Sequence, residues 1–246
     1  MTRTLRLDRR GFLRSAGVGA LVGAVGAGRA SAAGPSRGTT TAPRLFREPF
    51  DFDAPFERIG TDCTKWDGAI AEFGRIDVGM GIADMDFPAP PCVTRALAER
   101  CAHENWGYLR MPDSYVQAIV DWNQRRYGLV IDPETVELTT GVHPALIAAM
   151  HAFVPPGSRV LLTTPVYSGF YGDIRFSRTV AEESPMRLVN GRYQVDFEDF
   201  ERRARRANAF ILCNPQNPTG NVWSPEDLTR LGEICLEHRV VVLADE

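Results

Sequence analysis

From Asp113 onward the apolar positions recur with two alternating periods. Asp113 or Ser114 can cap a helix that carries Tyr115, Ile119 and Trp122 on one face and ends at Gly128. Val136–Thr140 reads as a strand. Pro144–Phe153 reads as a helix stopped by Pro155-Pro156-Gly157. Arg159–Thr164 is a strand, Phe197–Arg206 a polar helix and Ala209–Cys213 an apolar strand. Pro225–His238 is a helix with proline in its first turn, and Val240–Ala244 is a wholly apolar strand running into Asp245-Glu246. Strands that are near-continuous apolar runs, alternating with helices, predict an α/β domain with a mostly parallel sheet and helices on both faces. Sites in such sheets lie at the carboxyl ends of the strands. The sequence stops at one of those ends, so the large domain is expected to be truncated.

The earlier part is less regular. Residues 44–90 are rich in Phe, Asp and Pro and read as an arm or part of a small domain, with Val93–His103 a helix beyond it. Residues 91–246 form the expected large domain. Residues 33–43 (AGPSRGTTTAP) read as a linker. Residues 1–32 carry a basic head, a short Gly/Ala/Val run and Ala30-Ser31-Ala32. That order describes a signal peptide, and Arg9-Arg10 followed by Gly-Phe-Leu resembles a twin-arginine signal. Export to the periplasm or exterior is expected, with no stable membrane anchor, because the run is too short and glycine-rich to span a bilayer.

Charge and composition narrow the function. Lys and Arg total 28 against 31 Asp and Glu, for a net charge of −3. Residues 1–32 contribute +5 of that, which leaves −8 for the remainder. A chain of this balance lacks the basic surface that nucleic-acid binding needs. The five cysteines form no C-x-x-C pair, so buried free thiols are expected rather than a metal site or a disulfide framework. Lys65 is the only lysine.

Four strand ends carry candidate chemistry. At Thr140-Gly141-Val142-His143 a glycine turn opens a helix, whose free N–H groups and positive dipole end suit a phosphate, although an ordinary turn has the same pattern. Tyr167, after Thr164-Pro165, can stack on a flat heterocycle or simply pack. In Asn214-Pro215-Gln216-Asn217-Pro218-Thr219-Gly220, two prolines hold a non-helical loop that can aim the Asn217 amide at a ligand oxygen. Asp245, following a buried strand, calls for a cationic partner such as a protonated pyridine nitrogen.

With these motifs in place, the chain resembles the fold-type-I pyridoxal-phosphate enzymes of the class I/II aminotransferase superfamily. Phe50-Asp51-Phe52-Asp53, Cys63-Thr64-Lys65-Trp66-Asp67, Ala83-Asp84-Met85-Asp86-Phe87 and Trp106-Gly107-Tyr108 resemble its MalY/PatB branch of cystathionine β-lyase-like C–S lyases. The resemblance implies pyridoxal 5'-phosphate as cofactor. Asp245 would sit at the ring nitrogen, Asn217 at the phenolic oxygen and Tyr167 over the ring. Backbone at Gly141, Val142 and His143 would hold the phosphate. Tyr108 would reach the phosphate of a neighbouring subunit in a homodimer. It further implies a small sulfur amino acid substrate and α,β-elimination to pyruvate, ammonia and a thiol. No catalytic residue is assigned, because the Schiff-base lysine of the pattern lies past the A-D-E strand, and Lys65, read as a solvated side chain, does not replace it. An aminotransferase of the same fold and a non-catalytic truncated remnant are the alternative expectations.

Overall fold

A computed structural model describes residues 50–54 and 56–246; the expected signal and linker lie outside them. The chain divides into two compact units after Gly107.

In the first unit a π-helical turn at Thr64–Gly68 leads into α1 (Ala69–Phe73), and α2 spans Pro91–Ala102. Polar contacts tie the C-T-K-W-D and A-D-M-D-F segments together. Lys65, expected to be solvated, is buried: its Nζ donates to the Asp84 carbonyl and to Asp86 Oδ2, both at 2.8 Å. Trp66 Nε1 donates to the other Asp86 oxygen at 2.9 Å, and Arg58 bridges Asp84 and Asp86. The reason is solvation: a buried lysine loses water and needs a carboxylate in exchange. The Lys65 hydrogen bond, then that from Trp66, holds the Asp86 carboxyl below the ordinary carboxylate range. A depressed folded-state pKa gives stability that is present above the unfolded value and lost as pH falls through the folded one. Asp86→Asn is therefore expected to loosen this unit at neutral pH and to flatten its acid response. Trp66 fluorescence across an acid titration reads both effects; an unchanged titration in the variant would refute the pairing.

The second unit contains α3 (Asp113–Tyr127), α4 (Val142–Phe153), β1 (Arg159–Thr164), α5 (Gly169–Phe176), β2 (Val180–Pro185), the strands β3 (Arg187–Val189) and β4 (Arg192–Gln194), α6 (Phe197–Ala204), β5 (Ala209–Cys213), α7 (Pro225–Glu237) and β6 (Val241–Asp245). The sheet order is β2-β1-β5-β6, parallel throughout. Alternation along the strands feeds two cores. Leu161 and Phe210 pack with Phe200, Trp223, Leu231 and Ile234 under α6 and α7. Val160, Leu162, Ala209 and Ile211 pack with Leu146, Met150, Phe170 and Ile174 under α4 and α5. Helices thus cover both faces, as the apolar strands require. Caps fix the helix starts: Asp196 accepts from the Asp199 N–H, and Ser224 accepts from the Asp227 N–H. Asn190-Gly191, both at positive φ, turn β3 into antiparallel β4.

Three further expectations are corrected. Val136–Thr140 is not a strand. A strand is defined by its pairing, and none of the described strands pairs with it; Glu137–Thr139 and Val242–Ala244 instead line a cavity of about 530 Å³. The cap of α3 is Pro112, without a side-chain hydrogen bond, and no residue of α3 is buried; Tyr115 and Trp122 are exposed. Gly128 does end that helix, at φ 68°, in the left-handed conformation glycine adopts freely. Of the cysteines, Cys213 and Cys235 are buried, and burial pushes the Cys235 thiol up to about 12. Cys92 and Cys101, however, lie exposed on α2. No described helix is long and apolar enough to cross a membrane.

Candidate functional site

Parallel strands place their carboxyl ends on one rim, and the register shows what stands there. Cys213 pairs with Asp245 across β5 and β6, and the Asn214 N–H donates to the Asp245 carbonyl at 3.0 Å. Beyond β5 the Asn-Pro loop is held from inside. Gln216, 1% exposed, donates through Nε2 to the carbonyls of Thr163 and Pro165, which joins this loop to the end of β1. Its Oε1 is a buried acceptor without a partner among the described residues. The Gly220 N–H closes the loop onto the Gln216 carbonyl at 2.8 Å, and the Gln216 N–H donates to the Asn221 carbonyl at 2.7 Å.

The two asparagines have different tasks. Asn214 Oδ1 accepts from the Trp223 N–H at 3.2 Å, while Trp223 Nε1 donates to the Cys213 carbonyl. Asn214 is therefore spent on loop structure. The exposed Asn217 side chain makes no hydrogen bond among the described residues and is the amide left for a ligand; its backbone N–H donates to Cys213 Sγ at 3.4 Å. Burial raises the Cys213 thiol pKa, the Asn217 N–H opposes that, and the Asp245 charge adds to it. Cys213 thus sits beside both residues. The half-buried Asp245 carboxylate has no hydrogen-bond or ion-pair partner among the described residues.

The other side of the rim is aromatic. Tyr167 packs edge-on against buried Phe170, with ring centroids 5.5 Å apart, and lies stacked with His143 at 5.8 Å and 29°. This stacking brings the start of α4 beside the end of β1. There Gly141 precedes the helix at φ 142°, outside the range open to most side chains, and the Val142 and His143 N–H groups belong to the unpaired first turn. Of the sequence candidates, Gly141, Val142, His143 and Tyr167 are joined by these contacts, as are Asn217 and Asp245 through Cys213, and Gln216 links the two sets. Tyr108 makes none of them and is fully exposed. Nothing in the linear pattern of residues marks Gly169 or Asp173. A Cβ on Gly169 would lie 2.4 Å from Tyr167 Cε1 and 2.7 Å from His143 Cε1, and buried Asp173 holds His143 Nδ1 at 2.8 Å. Gly169→Ala is expected to displace both rings while leaving the sheet intact, seen as altered Tyr167 and His143 NMR shifts with unchanged far-UV circular dichroism.

One rim of the parallel sheet thus carries an aromatic face, an amide and a carboxylate without side-chain partners among the described residues, and a helix N-terminus, at the strand ends where sheets of this kind place their ligands. The chain belongs to the aminotransferase class I and II family, whose pattern matches residues 75–246. It is 42% identical over 199 residues to cystathionine beta-lyase PatB of Bacillus subtilis (strain 168), covering 80% of this chain and 51% of that protein. It is 33% identical to protein MalY of Escherichia coli (strain K12), covering 80% and 52%. Among solved structures, the PLP-bound C–S lyase from Staphylococcus hominis superposes with a TM-score of 0.73 at 30% identity, covering 80% of this chain and 51% of that one. The chain spans about half the length of the curated relatives it matches.

Proposed function

We propose that the protein is a pyridoxal-phosphate-dependent C–S lyase that eliminates the sulfur substituent of a small sulfur amino acid, giving pyruvate, ammonia and a thiol. The observation that carries this is a pair of polar side chains without partners among the described residues, the Asn217 amide and the Asp245 carboxylate, flanking buried Cys213. Similarity to PatB, MalY and the S. hominis C–S lyase supports elimination over amino transfer.

The residues fit the cofactor. A half-buried carboxylate without a cation is costly, and a protonated pyridine nitrogen would remove that cost. Asn217 would donate to the ring's phenolic oxygen and stabilise it as an anion. Tyr167 would cover one face and keep water from it. The Val142 and His143 N–H groups would hold the phosphate, with bare Gly141 letting the backbone approach. Bound there, the cofactor would supply an electron sink for charge developing at the substrate Cα. Lys65 is committed to Asp86, so the lysine that the family pattern calls for is expected elsewhere in the reading frame.

The test is to express the whole reading frame, add pyridoxal phosphate and cystathionine, and follow pyruvate and thiol. Equal release of both is expected. A new amino acid formed from an oxo-acid acceptor, without thiol, would support the aminotransferase reading; neither product would support a remnant. We further infer a homodimer, to which fully exposed Tyr108 would contribute across the interface, and export through residues 1–32. Sedimentation tests the first. Fractionation of an Arg9→Lys, Arg10→Lys variant, expected to stay in the cytoplasm, tests the second.

A further inference from the structure

We propose that Asp173 and His143 are positioning residues for the Tyr167 ring, an inference that rests on the cofactor reading above. The Asp173 carboxylate is buried, and both its oxygens lie 2.8 to 2.9 Å from His143 Nδ1. Among the described residues it has no other hydrogen-bond partner. A buried carboxylate keeps its place only against a donor, so Nδ1 carries the proton. In the neutral imidazole that tautomer leaves Nε2 as an acceptor, and it faces the Tyr167 hydroxyl at 3.5 Å. The hydroxyl, the imidazole and the carboxylate are thus joined contact by contact, from half-exposed Tyr167 to buried Asp173.

The rest of the ring's surroundings act to the same end. Phe170 meets Tyr167 edge-on, and Gly169 leaves bare backbone where a side chain would strike both rings. Tyr167 nevertheless remains 39% exposed. A ring fixed by its hydroxyl and one edge, with surface still open, is preorganised for a stacking ligand and loses little freedom on binding. A carboxylate that served only to pin α5 to α4 would do so whether or not position 167 carried a hydroxyl. This difference separates positioning from simple helix packing.

The experiment uses the product of the whole reading frame and a double-mutant cycle on pyridoxal phosphate binding, read by tryptophan fluorescence and by the bound cofactor's circular dichroism. Asp173→Asn is expected to weaken binding roughly five-fold, the weight of one hydrogen bond. Tyr167→Phe is expected to weaken it by a similar factor, and Asp173→Asn is expected to add nothing in the Tyr167→Phe background. Equal weakening in both backgrounds, or none in either, overturns the proposal. A wild-type protein that takes up no cofactor sinks the parent reading and this inference with it; wild-type uptake that Asp173→Asn leaves unchanged sinks this inference alone. Nitrogen-15 NMR of the His143 imidazole keeps the idea testable if the Asn variant folds poorly. A proton on Nδ1 only is expected in the wild type, and one on Nε2 overturns it.

Discussion

In the proposed C–S lyase, Asp245→Ala is expected to lower kcat/KM for cystathionine elimination by roughly 10²- to 10³-fold, the order of effect of removing one preorganised electrostatic group from a reacting centre. Stability should move the other way. The carboxylate is half buried and makes no hydrogen bond or ion pair among the described residues, so without a ligand it carries an uncompensated desolvation cost. Its removal should leave the cofactor-free Tm unchanged or raise it, while the gain in Tm on adding pyridoxal phosphate shrinks. Asp245→Asn should match Ala in activity, because the amide brings no charge. Steady-state kinetics with paired melts, with and without cofactor, checks each part. A variant with full activity, or one whose cofactor-free form melts well below wild type, would show that Asp245 is structural.

The second large effect concerns Glu182, whose carboxylate on β2 is shared by Arg159, Arg203 and Arg206 at 2.6 to 2.9 Å. Its side chain is only 4% exposed. Burial by itself would push its pKa up, but the hydrogen bonds from Arg206 and Arg203 outweigh burial and hold it below the ordinary value. Glu182→Gln leaves three guanidinium groups crowded without their shared anion. The expected cost is about 2–3 kcal/mol, below that of a fully buried pair because Arg159 and Arg206 stay half exposed and screened. The pH dependence has a fixed sign. A lowered folded-state pKa gives stability that is complete above the unfolded value and lost as pH falls through the folded one. Denaturant midpoints should therefore separate wild type from variant at pH 7, begin to converge only below about pH 4, near the unfolded carboxylate pKa, and meet once the pH has fallen below the lowered folded-state value. A separation that persists into acid would mean the loss lies in packing rather than charge.

Glu182 also shows where a sequence stops being readable. Val180–Pro185 is a full partner of β1, yet its inward positions include Glu182 and Ser184, so the strand carries no apolar signature. The inward glutamate is tolerable only because α6 and its following turn bring Arg203 and Arg206 to it. Lys65 has the same lesson in the first unit: a lone lysine reads as solvated until Asp86, 21 residues away, is seen to meet it. The alternating stretch Val136–Thr140 errs in the opposite sense. It has strand composition, but pairing is a property of two segments, and among the described residues it has no partner. Tyr115 and Trp122 suggested a buried helix face that stays exposed, since periodicity states which residues share a face and not whether anything covers it.

What the sequence determined on its own is local or strongly patterned. The spans of β1 and β5, the proline-led start of α7 and the end of α3 at Gly128 follow from apolar runs, capping and backbone sterics, which act over a few residues. The chemical character of Tyr167, Asn217 and Asp245 follows from side-chain type alone. The tertiary structure decided which of those groups are free. It spent Asn214 on Trp223 and left Asn217 open, paired His143 with an unforeseen Asp173, and set bare Gly169 beneath two rings. Each of these outcomes depends on distance between residues far apart in the chain, and distance is what a linear pattern of polarity does not encode.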